Sequence, residues 1–200
     1  MKPHLLLFFP ALLFGLSLAA GCESDPSRDS DNPGLSVPVR PGGSGETELR
    51  LEARLGGRYA QSLRIQEGDW TGIGPGEEIE MTFQATGMKE IGQFDLIMEP
   101  DPPTDFDIGA SLFAPRPPFV TLRTGVEQQE DGRVRIIGAD LNRSTEGDAV
   151  LGTLRLRTTA DFPRSELRLR VVFFSIGPSS TERDTYTAAD LNLGIVVNPQ

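Results

Sequence analysis

Glu78-Ile-Glu-Met-Thr-Phe-Gln-Ala85 is the stretch whose pattern decides the fold. Every second residue, Ile79, Met81, Phe83 and Ala85, is apolar, and the residues between them are charged or polar. Successive side chains of an extended chain point to opposite faces, so this period of two describes a strand with one face buried and one in water. A helix would instead group its apolar residues three and four apart.

The same period recurs on both sides of that stretch. Leu49, Leu51, Ala53 and Leu55 alternate with Glu48, Arg50, Glu52 and Arg54, which predicts a first strand. Phe94, Leu96 and Met98 alternate with Gln93, Asp95 and Ile97. Further runs hold Val120, Leu122 and Val126, then Val134 and Ile136 between Arg133 and Arg135, then Leu154 and Leu156. Leu167, Leu169, Val171 and Phe173 alternate with Arg168 and Arg170, and Leu191, Leu193, Ile195 and Val197 end the chain. Turn signals separate the runs: Gly72-Ile-Gly-Pro-Gly76, Pro100-Asp-Pro-Pro103, Asp131-Gly132, Gly147-Asp148 and Gly177-Pro178. No stretch sustains a helical period. Roughly eight or nine short strands without crossover helices predict an all-β fold, an antiparallel sandwich or barrel. The prolines at 102, 103, 115, 117 and 118 are suited to guarding a sheet edge against strand addition.

The first 45 residues have a different composition. A basic start, Met1-Lys2-Pro3-His4, precedes an apolar run from Leu5 to Ala20 broken only by Pro10, Gly15 and Ser17. Basic, then apolar, then small residues is the layout of an export signal, here over residues 1–21. The run is shorter than the roughly 20 residues that a membrane-crossing helix needs. Its end, Leu18-Ala19-Ala20-Gly21-Cys22, resembles the lipobox of bacterial lipoproteins, with Ala19 where leucine or valine is more usual. Cys22 is the single cysteine of the 200 residues. The resemblance implies that it is acylated and anchors the chain to lipid. Each buried CH₂ of an acyl chain contributes ~0.8 kcal/mol to membrane binding. In that family Glu23 after the cysteine is compatible with sorting to the outer membrane, so the expected location is the cell envelope. Residues 22–45 then form a tether rich in Ser, Asp, Pro and Gly with little to bury, and residues 46–200 form the folded domain.

Processing at Cys22 would remove Lys2 and the single histidine, His4. The remaining chain has 18 basic and 29 acidic side chains, a net charge of −11. Nucleic acid is not an expected partner, because phosphate binding depends on Lys and Arg. Without histidine or a free thiol, Ser-His-Asp and Cys-His nucleophiles cannot be assembled. Zinc sites built from Cys and His are excluded in the same way. The Gly72–Gly76 run lacks the Lys-Ser/Thr ending of a phosphate loop and precedes a strand. No spacing singles out a carboxylate pair for glycoside hydrolysis. The expectation is a non-catalytic protein without a cofactor.

From Gly76 to Val172 the order of features resembles the cohesin domain, a jelly-roll sandwich of nine strands allied to cellulose-binding modules. The features are the opening Pro75-Gly-Glu-Glu-Ile79, the strand Gly92-Gln-Phe94-Asp-Leu96 and the glycine-started strand Gly132-Arg-Val-Arg-Ile-Ile-Gly138. Gly152-Thr-Leu154-Arg-Leu156 and Ser165-Glu-Leu167-Arg-Leu169 follow. The loop Met98-Glu-Pro-Asp-Pro-Pro departs from the Tyr-Asp-Pro frequent in the family. The resemblance implies that the strand of Gln93 and Asp95 lies between those of Arg133/Arg135 and Arg168/Arg170. It also implies that this sheet receives a dockerin-bearing protein partner.

On that arrangement Arg133, Arg135, Arg168 and Arg170 point outward, with Ile137, Val172 and Phe174 at one end of the same face. A basic, partly apolar patch on an acidic protein suits partner binding. Cross-strand pairs of the arginines with Asp95 and Glu99 are the alternative. A second candidate is a carbohydrate site, in which Trp70 stacks on a sugar of a polysaccharide; a third is a structural envelope lipoprotein without a ligand. Asp101, Asp105 and Asp107 lie close enough to suggest calcium, but lack the alternating Asp-x-Asp-x-Asp-Gly series. No metal site is expected.

Overall fold

A computed structural model describes residues 46–142 and 144–200. The export signal 1–21, Cys22 and the tether 22–45 lie outside the described residues. The strands are β1 (Glu48–Arg50), β2 (Ser62–Ile65), β3 (Glu78–Ile91), β4 (Gln93–Asp101), β5 (Leu112–Pro115) and β6 (Val120–Gln128). β7 (Val134–Ala139), β8 (Thr145–Arg157), β9 (Leu167–Gly177), β10 (Asp184–Thr187) and β11 (Gly194–Val197) follow. They form two antiparallel sheets. One has the order β1-β2-β3-β8-β5 and the other β10-β9-β4-β7-β6, with β11 also on β9. β9 is long enough to hold both: residues 173–176 pair with β10 and residues 167–170 with β11.

The alternation read from Glu78 onward holds. Ile79, Met81, Phe83 and Ala85 are buried from β3, and Leu154 and Leu156 lie opposite Met81 and Ile79 on β8. Phe94, Leu96, Met98, Val134, Ile136, Leu167, Leu169 and Val171 supply the facing layer. Phe94 is the aromatic centre of this core. Phe113 meets it edge-on at 6.1 Å and Phe119 at 5.4 Å between ring centroids. A Cβ at Gly138 would lie 2.4 Å from the Phe94 ring, so β7 can cross over the ring only with a glycine there.

The predicted first strand is corrected. Only Glu48–Arg50 is extended, and Leu51–Leu55 makes one turn of α-helix, α1. Leu, Glu, Ala and Arg are all strong helix formers. Gly56 ends the turn in the left-handed conformation (φ 68°), donating its N–H to the Glu52 carbonyl, while Gly57 donates to that of Leu51. Ala53, expected to point inward, is exposed, whereas Leu51 is buried. The proline expectation holds at Pro115, which ends β5 at the edge of the five-stranded sheet.

Candidate partner-binding face

β4 lies between β7 and β9, the order that the cohesin resemblance implied. The outward side chains of these strands are therefore fixed by register. Asp95 lies opposite Ile137 on β7 and Ser175 on β9, and Ile97 lies opposite Arg135 and Phe173. Glu99 faces Arg170, and Asp101 faces Arg168. Gln93 sits at the end of the face, half-buried between Ala139 and Gly177.

A bulge in β9 changes who stands on this face. Ile97 pairs with Phe173 but Met98 pairs with Val171, so Val172 is an extra residue. One extra residue moves every later side chain of a strand to the other side. Val172 and Phe173 are consequently both half-buried on the outside, and Phe174 is turned inward. Phe174, expected on the binding face, is 0% exposed and stacks on Tyr186 with ring centroids 6.2 Å apart. Phe173 takes its place.

The four arginines are held within the sheet. Arg135 donates through Nε and Nη2 to the two Asp95 oxygens, at 3.0 and 2.5 Å. This pairing raises the Arg135 pKa above its ordinary value. Asp95 is 7% exposed, and a charge so covered needs such a partner. Glu99 accepts from Arg133 and from Arg170, both at 3.1 Å, and Glu166 accepts from Arg168 at 3.2 Å. Beside Asp95, Arg183 donates to the Ser175 hydroxyl at 3.3 Å. Of the two readings of these arginines, a basic patch or cross-strand pairs with Asp95 and Glu99, the side chains of Arg133, Arg135 and Arg170 adopt the second.

The centre of this face is apolar. Ile97 sits beside Phe173 and Val172, and the register sets Ile137 diagonally next to Ile97. Diagonal neighbours on one face lie about 7–8 Å apart, within reach of large side chains. Val120, opposite Ala139 and 41% exposed, extends the line onto β6. The result is an oblique apolar stripe from β6 to β9, flanked by ion pairs. The outward face of the other sheet has no counterpart on β3 and β8. There Glu80–Arg155 (2.8 Å), Glu78–Arg157 (3.6 Å) and Thr82–Thr153 (2.9 Å) form a polar ladder.

The remaining candidates lie elsewhere. Trp70 donates its indole N–H to the Glu80 carbonyl at 2.8 Å and packs against the core, half-buried. Asp107 accepts from the Ala110 N–H within its own turn at 3.2 Å, and Asp105 accepts from Gln128 at 3.4 Å. Among the described residues no group of three His, Cys, Asp or Glu side chains is placed to hold a metal ion.

No family model matches the sequence, and no curated protein matches it. Among solved structures the chain is similar to the cohesin module from a Clostridium perfringens family 33 glycoside hydrolase, at 18% identity and TM-score 0.43, over 70% of this chain and 96% of that one. It is similar to a chain of a type I cohesin–dockerin complex from Clostridium thermocellum, at 13% identity and TM-score 0.42, over 68% and 96%. A type II cohesin module from the ScaA scaffoldin of Acetivibrio cellulolyticus gives 8% identity and TM-score 0.44, over 73% and 99%.

Proposed function

We propose that this protein is a non-catalytic binding module whose outward β7-β4-β9 face holds a protein partner at the cell envelope. The observation that carries the reading is the stripe of Ile97, Ile137, Val172 and Phe173, bordered by arginines already paired within the sheet. An interface needs an apolar centre with a rim that keeps water out, and a few central side chains supply most of its affinity. Phe173 and Ile97 are those side chains. The rim ion pairs set register more than affinity. On the cohesin resemblance of the sequence, the partner carries a dockerin. Acylation at Cys22 would keep the module at a lipid surface outside the cytoplasm.

The test is binding of the full chain to immobilised dockerin modules and, in parallel, to polysaccharides. Phe173→Asp should reduce dockerin capture by at least tenfold, the effect of losing about 1.4 kcal/mol, with Trp70→Ala unchanged. Retention on a glycan that Trp70→Ala abolishes and Phe173→Asp spares would refute the protein-partner reading. The anchor is tested separately, by palmitate labelling that Cys22→Ala should eliminate.

A further inference from the structure

We infer that the same face pairs two copies of this chain with each other, weakly and more strongly as salt rises. The inference rests on the face assigned above and concerns what covers it when no other partner is bound.

The argument is one of charge. Residues 46–200 carry 16 basic and 25 acidic side chains. Arg183 and the four arginines of the face stand there beside six carboxylates, Asp95, Glu99, Asp101, Glu127, Asp131 and Glu166, a net charge of −1. Elsewhere 11 basic side chains stand against 19 acidic ones, so most of the excess negative charge lies outside this face. Two copies repel through most of their surfaces and meet with little local repulsion here, where the apolar stripe also lies.

The dimensions set the strength. Five strands about 4.8 Å apart, read over six or seven residues at about 3.3 Å each, cover roughly 500 Å² per copy. Two copies would bury roughly 1,000 Å² in all, at the lower bound for a specific interface. The pair is accordingly weak and reversible. Its salt response is diagnostic. The Debye length falls from about 30 Å at 0.01 M to about 8 Å at 0.15 M ionic strength. Salt therefore screens the repulsion between two acidic copies and leaves burial of the stripe intact. Association through complementary charges would show the opposite trend.

The experiment mixes donor-labelled and acceptor-labelled pools of the full chain and follows energy transfer against protein concentration, at about 0.02 M and about 0.5 M NaCl. Transfer should appear at micromolar concentration and increase at least threefold at the higher salt. Phe173→Asp and Ile97→Asp should each abolish it at both salts. Both sites are half-buried on the surface, and far-UV circular dichroism checks that the variants fold. Gln84→Asp, on the outward side of the other sheet, should leave transfer unchanged and controls for the added negative charge. Absence of transfer in the parent chain at every concentration overturns the inference, as does transfer that survives Phe173→Asp or weakens with salt. A chain that stays monomeric yet captures dockerin refutes self-pairing alone and leaves the proposed function standing.

Discussion

Asp184 is the residue whose removal should be felt furthest from its place in the sequence. It begins β10, and its side chain is only 11% exposed. One carboxylate oxygen, Oδ2, accepts the backbone N–H of Arg58 at 2.5 Å and that of Tyr59 at 3.2 Å. The Tyr186 hydroxyl donates to the same oxygen at 3.4 Å, and the Arg58 guanidinium donates to Oδ1 at 2.9 Å. The carboxylate thus closes the loop after α1 onto the six-stranded sheet. Burial alone would raise its pKa, but the amides of Arg58 and Tyr59 and the Arg58 side chain outweigh burial and hold it below the ordinary range. Burial and the neighbouring Asp184 push the Tyr186 hydroxyl the other way, well above its usual pKa.

Two substitutions separate these contributions. Hydrogen bonds to a charged acceptor contribute about 1.5–3 kcal/mol each. The exposed ion pair with Arg58 adds little by comparison, and water partly replaces the lost partners. Asp184→Ala should therefore cost about 3 kcal/mol, or roughly 6–12 °C in Tm for a chain of this size. Asp184→Asn keeps an oxygen for the two amides and loses the charge, so it should cost about 1 kcal/mol. Because the folded pKa lies below the unfolded value of about 3.9, this stabilisation is complete above pH ~5 and is lost as pH falls through the folded pKa. Urea melts from pH 8 to pH 3 are the assay. The gap between the parent chain and Asp184→Ala should be constant down to pH ~5 and narrow below pH ~4. Equal losses for Ala and Asn would show that the amides do not depend on this oxygen. A gap that stays constant to pH 3 would show that the charge is not involved.

Phe94→Ala removes the ring against which Phe113 and Phe119 pack edge-on, and should cost about 3–5 kcal/mol in a denaturant melt. Gly138→Val, aimed at the same ring, should prevent stable folding, since even a Cβ there would meet Phe94 at 2.4 Å; a soluble, cooperatively melting variant would contradict this packing. Arg135→Lys offers a point charge where Asp95 now has a two-pronged partner, and should cost about 1–2 kcal/mol. The matched Arg133→Lys, whose side chain is 40% exposed, should cost under about 0.5 kcal/mol, and equal costs for the two would argue against the special status of the Asp95 pair.

The layers and their central strands were legible in the sequence because each long strand shows period-two alternation and a half-buried sheet permits no other arrangement. β3, β4, β7 and β9 were readable for that reason; alternation does not order strands, and the placement of Arg133 and Arg135 beside Asp95 came from the cohesin resemblance. The β9 bulge was not. Val171-Val-Phe-Phe174 is apolar throughout, so the sequence has no polar residue to mark which side chain turns outward, and Phe174 was assigned the place that Phe173 occupies. The segment Leu49 to Leu55 misleads in the opposite way: its alternation is genuine, but Gly56 and Gly57 let the chain close a helical turn. β2, β5 and β10 are four residues each, too short for a period to emerge. The bond between Arg58 and Asp184 spans 126 residues and leaves no local trace.

The pairing of the arginines bears on how any partner would be recognised. A basic patch on an acidic protein would draw acidic partners from a distance, raising the association rate in a strongly salt-dependent way. Here Glu99 holds two guanidinium groups, Asp95 a third and Glu166 a fourth, so little positive field extends beyond the face. Long-range steering is then weak, and selectivity falls to contact. On the proposed reading a partner would bury Phe173 and Ile97 while leaving the surrounding pairs hydrated or bridged, since breaking one strands its carboxylate. Asp95, almost covered, makes that requirement strictest at the centre of β4. Arginine suits this arrangement better than lysine, because its planar fork can engage a carboxylate with two N–H groups and still has further donors. A partner suited to the proposed face would thus supply an apolar ridge and a few aligned acceptors rather than bulk charge.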